Sequence, residues 1–179
     1  MDNAQRLREL FPELSSIKDT LLRDKTVAVM ADALARGGWS PEDLASMPFT
    51  LLIPNCPVSY LTHVRTVTQI ALRTADVLAE QYRGHLSLNV DVLVAGALLH
   101  DVGKLLEFRR DGHGFGKSAG GTLLRHPFSG AGLALAHDLP DEVVHIIAVH
   151  AKEGDSGYRS TEAIIVHHAD FITFEPLHR

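Results

Sequence analysis

The chemistry in this chain centres on His100 and Asp101, which sit inside an apolar run over residues 93–106, LVAGALLHDVGKLL. An imidazole and a carboxylate in such surroundings need partners, because burying an unpaired charge is costly. A metal cation satisfies both groups at once, and an aspartate can reach one ion or bridge two. A core histidine hydrogen-bonded to its neighbour would also satisfy them, so the reading turns on whether more ligands exist. Four candidates do: His63, His126, His150 and Asp170. Imidazoles and carboxylates without thiolates suit Fe, Mn, Co, Ni or Zn better than a structural cysteine-type zinc site. His63, His100, Asp101 and Asp170 would hold one metal; His126 and His150 would add a second, with Asp101 as the bridge. Lys104 lies one turn beyond His100, so His100, Asp101 and Lys104 share roughly one helix face.

These side chains must be delivered by separate elements, and every element that the pattern predicts is helical. A short helix over 2–11 stops at Pro12, and a second over 17–36 is closed by Gly37-Gly38. Ser40-Pro41-Glu42-Asp43 opens a short helix, and 47–57, with three prolines, is an ordered extended connection. A long helix over 58–82 turns Val64, Val67, Ile70 and Ala71 inward. The central helix covers about 90–108, with Asn89 as its N-cap. The glycine-rich stretch 111–121, DGHGFGKSAGG, reads as a flexible loop with no regular element. Helices over 126–137, from Asp138 to Gly154 and over 161–175 complete the chain, the last capped by Ser160. Inward side chains on different helices of a bundle converge on one point. The expectation is a single all-α domain over 1–179, with a core at 58–175 and residues 1–57 packed on it or covering its opening.

Some positions admit two readings. His126 is either a ligand or simply the residue that starts a helix before Pro127. His145 competes with His150; five residues apart, they face different directions, and His150 is nearer the loop end. Asp170 is flanked by Ala169 and Phe171 inside a helix, which argues against an N-cap or surface acid. His113 and Lys117 would either close over a phosphate as part of a mobile loop or belong to a solvated turn. Arg125, beside His126, is a weaker anion-binding candidate. His167 or His168 would hydrogen-bond a ligand or simply be a solvent-facing or core-satisfied imidazole. Cys56 lacks a base partner and reads as a packed residue.

Composition narrows the classes. A chain of 179 residues with 45% hydrophobic and only 6% aromatic residues fits a helical globular protein. A net charge of -5, without a basic cluster, argues against binding a nucleic-acid polymer. One cysteine excludes an internal disulfide and favours a reducing compartment. The N-terminal MDNAQRLREL lacks the apolar core of a signal peptide, and the run 92–99 is too short to span a bilayer. The expected protein is cytoplasmic, has no membrane partner, and carries enough apolar residues in 1–50 to permit a homodimer.

The order His63, His100-Asp101, His126, His150, Asp170, together with the segment HDVGK, resembles the HD-domain superfamily of metal-dependent phosphohydrolases over residues 58–175. The resemblance implies a bundle of five or more helices with metals at its centre. It also implies that the six-ligand version binds two divalent transition metal ions and the His-HisAsp-Asp version one. His150 is followed by Ala151-Lys152-Glu153 and no GYP occurs, so the cyclic-dinucleotide subfamilies are a poor match. The function expected is hydrolysis of a small phosphorylated metabolite or nucleotide. Metals would lower the pKa of a bridging water, hydroxide would attack phosphorus in line, and Lys104 would help neutralise the developing charge. Lys104, His113, Lys117 and Arg125 would bind the substrate. A mixed-valent diiron oxygenase cleaving a C–C or C–P bond is the alternative that shares this ligand set. A non-catalytic signalling module is a third reading, disfavoured because all six ligand positions are filled.

Overall fold

The structure is a computed structural model and describes residues 2–112 and 114–178. Its central helix, Val90–Leu99 (α4), has no polar side chain after Asp91 and is buried from Val92 to Leu99. A helix that is apolar all round has to be surrounded. The helices Thr20–Gly37 (α2), Tyr60–Gln81 (α3), Asp141–Val149 (α8) and Thr161–Phe174 (α9) all lie against it. The remaining helices are Asn3–Leu10 (α1), Lys104–Glu107 (α5), Ala119–Leu123 (α6) and His126–Ala136 (α7). Among the described residues no helix is long and apolar enough to cross a membrane.

The N-terminal residues share one buried cluster with the rest: Leu7, Phe11, Leu14 and Ile17 join Leu93, Leu98 and Leu99. Polar contacts fix the seam. The Asp91 carboxylate accepts from the main-chain N–H groups of Lys18 and Asp19 at 2.9 and 2.7 Å. Asp19 in turn caps α2 by accepting from Leu21 and Leu22. Trp39 donates its indole N–H to the carbonyl of Leu105 at 2.8 Å. α2 ends where Gly38 adopts φ 73°, the left-handed closure expected of the Gly37-Gly38 pair.

Three expectations need correction. The helix predicted over 90–108 is two helices, because the chain tightens directly after α4. His100 donates from Nδ1 to the carbonyl of Ala97 at 2.6 Å, the acceptor that the N–H of residue 101 would use in a continuing helix. Val102 and Lys104 instead donate to Leu99 and Asp101, three residues back. The helix expected to run on to Gly154 likewise stops at Val149, where His150 Nδ1 donates to Ile147 at 2.8 Å. The stretch 111–121 is not an unstructured loop. Phe108–Asp111 (β1) pairs antiparallel with Gly114–Lys117 (β2), and α6 follows with Ser118 as its N-cap. Exposure hid the strand signal, since a polar, glycine-rich ribbon shows no buried face. The short helix after Ser40 is one 3-10 turn, Pro41–Ala45, held by a Ser40–Asp43 capping box.

Gly103 marks the tightest approach in the break after α4. A Cβ there would lie 2.1 Å from the carbonyl oxygen of His126 and 2.8 Å from the main-chain nitrogen of Gly130. Its φ of -65° is open to any residue, so the constraint is purely steric. Gly103→Ala is therefore expected to cost about 1–3 kcal/mol or more by overpacking. Exposed Gly132 in α7 has open space around it, and Gly132→Ala should instead stabilise by about 0.5–1 kcal/mol. Urea midpoints of the two variants, expected to move in opposite directions, check both.

Candidate metal centre

Six side chains from five elements or their ends meet beneath α4. His63 lies in the first turns of α3, His100 and Asp101 directly after α4, His126 at the start of α7, His150 directly after α8, and Asp170 in α9. Asp101 occupies the middle. Its Oδ2 is 3.2 Å from His63 Nε2 and 3.4 Å from His100 Nε2, while its Oδ1 is 3.3 Å from His126 Nε2 and 3.6 Å from His150 Nε2. Asp170 Oδ1 lies 3.2 Å from His63 Nε2. Two metal-sized groups result, His63–His100–Asp101 and Asp101–His126–His150, all buried and sharing the aspartate.

The hydrogen bonds on the outer side of each ring assign its protons. His100 and His150 each place Nδ1 on a carbonyl, which can only accept. Thr173 gives its one hydroxyl proton to Asp170 O at 2.8 Å, so at 3.2 Å it accepts from His63 Nδ1. His126 donates Nδ1–H to Glu107 Oε2 at 3.1 Å. Each Nε2 then carries a lone pair turned inward. Nε2 of His63 faces that of His100 at 3.3 Å, and Nε2 of His126 faces that of His150 at 3.2 Å. Asp101 Oδ1 is buried and accepts no hydrogen bond among the described residues. Lone pairs and a carboxylate oxygen aimed at one another repel unless a cation lies between them, and the donor set fits divalent transition metals.

Electrostatics keep Asp101, Asp170 and His126 in ligand form, and His63 is the exception. Burial pushes the Asp101 carboxyl up, but Lys104 and His100 outweigh it and hold the group well below the usual range. Asp170 is held at about 2, its burial outweighed chiefly by His63. Burial lowers His126 to about 4, so its ring is neutral at physiological pH. For His63, burial lowers the affinity for a proton, but hydrogen bonds to Asp101 and Asp170 raise it overall. Protons and cations therefore compete for His63 Nε2.

Lys104 points into the site, with Nζ 2.6 Å from Asp101 Oδ2 and 2.7 Å from the carbonyl of Phe49. A cavity of about 320 Å³ opens over the centre, walled by Phe49, Phe171 and Phe174 with Lys104, His126 and Asp170 on its lining. Arg125 also lines it, but its guanidinium is bonded to Glu107 at 2.7 Å and Glu153 at 3.1 Å. Lys117 lies 3.4 Å from Glu107 and is not on the cavity wall. His113, expected as a substrate contact, lies outside the described residues. His145 accepts from the N–H of Ser160 and takes no place in the centre, whereas His167 donates to the carbonyl of His150 at 2.6 Å. Sequence reasoning missed Phe49, which stacks on His63 at 4.2 Å, and no local signal marks it within 47–57. It also missed Glu107, whose one clue is an acid closing the apolar stretch after His100-Asp101.

Comparison with known proteins follows the same residues. The family model described as HD domain matches residues 60–174. Over 111 residues the chain is 37% identical to a dihydroneopterin 2',3'-cyclic phosphate phosphodiesterase of Methanocaldococcus jannaschii. That stretch is 62% of this chain and 44% of the relative, so the chain spans less than half the length of that curated protein. No solved structure matches.

A cation that binds only the folded chain stabilises it by about 2.7 kcal/mol at a hundred times its Kd. Mn(II) is expected to raise the melting temperature of the wild type and to leave Asp101→Ala unmoved. The raised proton affinity of His63 sets the sign with pH: the Mn-dependent increment should shrink as pH falls from about 8 to about 6, as protons occupy Nε2. Thermal melts with and without metal across that range check it.

Proposed function

Because the chain belongs to the HD-domain family, we propose that it is a metal-dependent phosphohydrolase that cleaves a phosphodiester in a small organic phosphate. The observation that carries this reading is the position of Asp101, shared by two ligand groups beside a cavity whose lining includes His126, Asp170 and Lys104. His63, His100, Asp101 and Asp170 would hold one cation, and Asp101, His126 and His150 a second. When bound, such cations supply an activated water at neutral pH and charge neutralisation at phosphoryl oxygens.

The chain's own groups do the rest. Lys104, anchored by Asp101 and the Phe49 carbonyl, keeps a fixed positive charge at the cavity floor, where charge builds on a phosphoryl group in the transition state. Its two anchors pre-organise it, so little reorientation is needed during reaction. Phe49, Phe171 and Phe174 give the cavity apolar walls that exclude water and bury the organic part of the substrate. Arg125 stands at the same wall, but its charge is largely met by Glu107 and Glu153, which makes it a poor phosphate clamp. Aromatic walls suit contact with a flat ring, and the named relative is a phosphodiesterase of dihydroneopterin 2',3'-cyclic phosphate. A 2',3'-cyclic phosphodiester carrying a planar heterocycle is therefore the first substrate to try.

Assay of 2',3'-cyclic phosphates with Mn, Co, Ni or Fe should show ring opening. Lys104→Met is expected to lower kcat by about 10²–10³ while metal content stays at the wild-type level. Asp101→Ala should abolish turnover; full activity in that variant would sink the proposal. Oxygen uptake by the iron-loaded chain without any phosphoester cleavage would instead favour a diiron oxygenase.

A further inference from the structure

Glu107 is not one of the six candidate ligands, yet its side chain is only 1% exposed at the end of α5. Oε2 accepts from the main-chain N–H of His126 at 2.8 Å and from its Nδ1 at 3.1 Å. Oε1 accepts from Arg125 at 2.7 Å and lies 3.4 Å from Lys117 Nζ. The other three rings are backed by neutral groups: His100 by the Ala97 carbonyl, His150 by the Ile147 carbonyl and His63 by the Thr173 hydroxyl. Among the four histidines, His126 is the one whose outer nitrogen, Nδ1, is held by a full negative charge.

His126 needs such a hold. It stands at the first position of α7, where the N–H has no partner within the helix and the ring is not locked by turns on both sides. One carboxylate oxygen meets the free N–H and the ring N–H together, fixing the ring's rotation and leaving Nε2 to face Asp101. The charge also raises the basicity of Nε2 as a ligand. Arg125 and Lys117 partner the buried carboxylate from the far side, which reduces the cost of keeping it charged.

We propose that Glu107 is the positioning residue of one half of the centre: the Asp101–His126–His150 group depends on it, and the His63–His100–Asp101–Asp170 group does not. This rests on the two-cation reading above. Arg125 and Lys117 then serve Glu107, and through it His126, rather than the substrate.

The test is Co(II) and Mn(II) titration of the full chain by calorimetry and electron paramagnetic resonance, beside Glu107→Gln, His126→Ala, Asp170→Ala and their pairwise combinations. The wild type is expected to take two ions and show a spin-coupled manganese pair. Glu107→Gln should bind one ion at near wild-type affinity, lose about 10–100-fold on the other and show an isolated manganese signal. Adding Glu107→Gln to His126→Ala should change nothing further, whereas adding it to Asp170→Ala should weaken the ion that remains. Should Glu107→Gln fail to fold by circular dichroism, Glu107→Asp keeps the charge, withdraws it by one methylene and is expected to give a smaller loss at the same half. Unchanged binding of both ions, or equal weakening of both halves, overturns the proposal. A single ion in the unmodified chain overturns it too, and is recognisable as failure of the two-cation reading because it appears without any substitution.

Discussion

A carboxylate buried without full hydrogen bonding is the constraint that organises this molecule. Asp101 lies where no water competes for it, one oxygen on Lys104 and the other with no hydrogen bond among the described residues. An interior charge of this kind is tolerated only when opposite charge lies close by. Lys104 supplies part of that charge, and four inward-facing imidazole nitrogens create a demand for more. The arrangement is costly to fold and ready to bind cations, the trade expected where local consistency is given up for function.

The four rings are turned by what stands behind them. His100 and His150 are built the same way: each directly follows a helix, donates back to the carbonyl three residues earlier, and thereby both ends the helix and aims its Nε2. This meets one of the carbonyls that any helix C-terminus leaves unpaired. Helix termination and ligand orientation are thus one interaction. His63 and His126 sit near helix starts and borrow their outer partners from elsewhere, Thr173 of α9 and Glu107 of α5.

The N-terminal segment closes the other side of the site. Phe49 stacks on His63 and offers its carbonyl to Lys104, so a residue from before α3 helps hold a ligand ring and the lysine. Trp39 binds the Leu105 carbonyl and lies beside Phe115 of the hairpin at 6.0 Å, tying that segment to both α5 and β2. Residues 1–57, which carry none of the recognised motif, therefore shape the cavity above it.

Residue types, their order and the family resemblance that they carry grouped His63, His100, Asp101, His126, His150, Asp170 and Lys104 as candidates, and the helical patterning indicated an all-α fold. These signals are local: apolar periodicity, caps at Asn89 and Ser160, glycines after α2, and an acid next to a histidine in an oily run. Only the tertiary structure decided which nitrogen of each ring faces inward, that Asp101 divides its oxygens between two groups, and that Arg125 and Lys117 bond to Glu107. The reason is physical. Helical periodicity fixes relations three or four residues apart, whereas Thr173 meets His63, and Phe49 meets Lys104, across separations that depend on how whole helices pack. The breaks after Leu99 and Val149 escaped for a related reason, since a histidine side chain taking a backbone carbonyl leaves the apolar pattern unchanged while ending the helix.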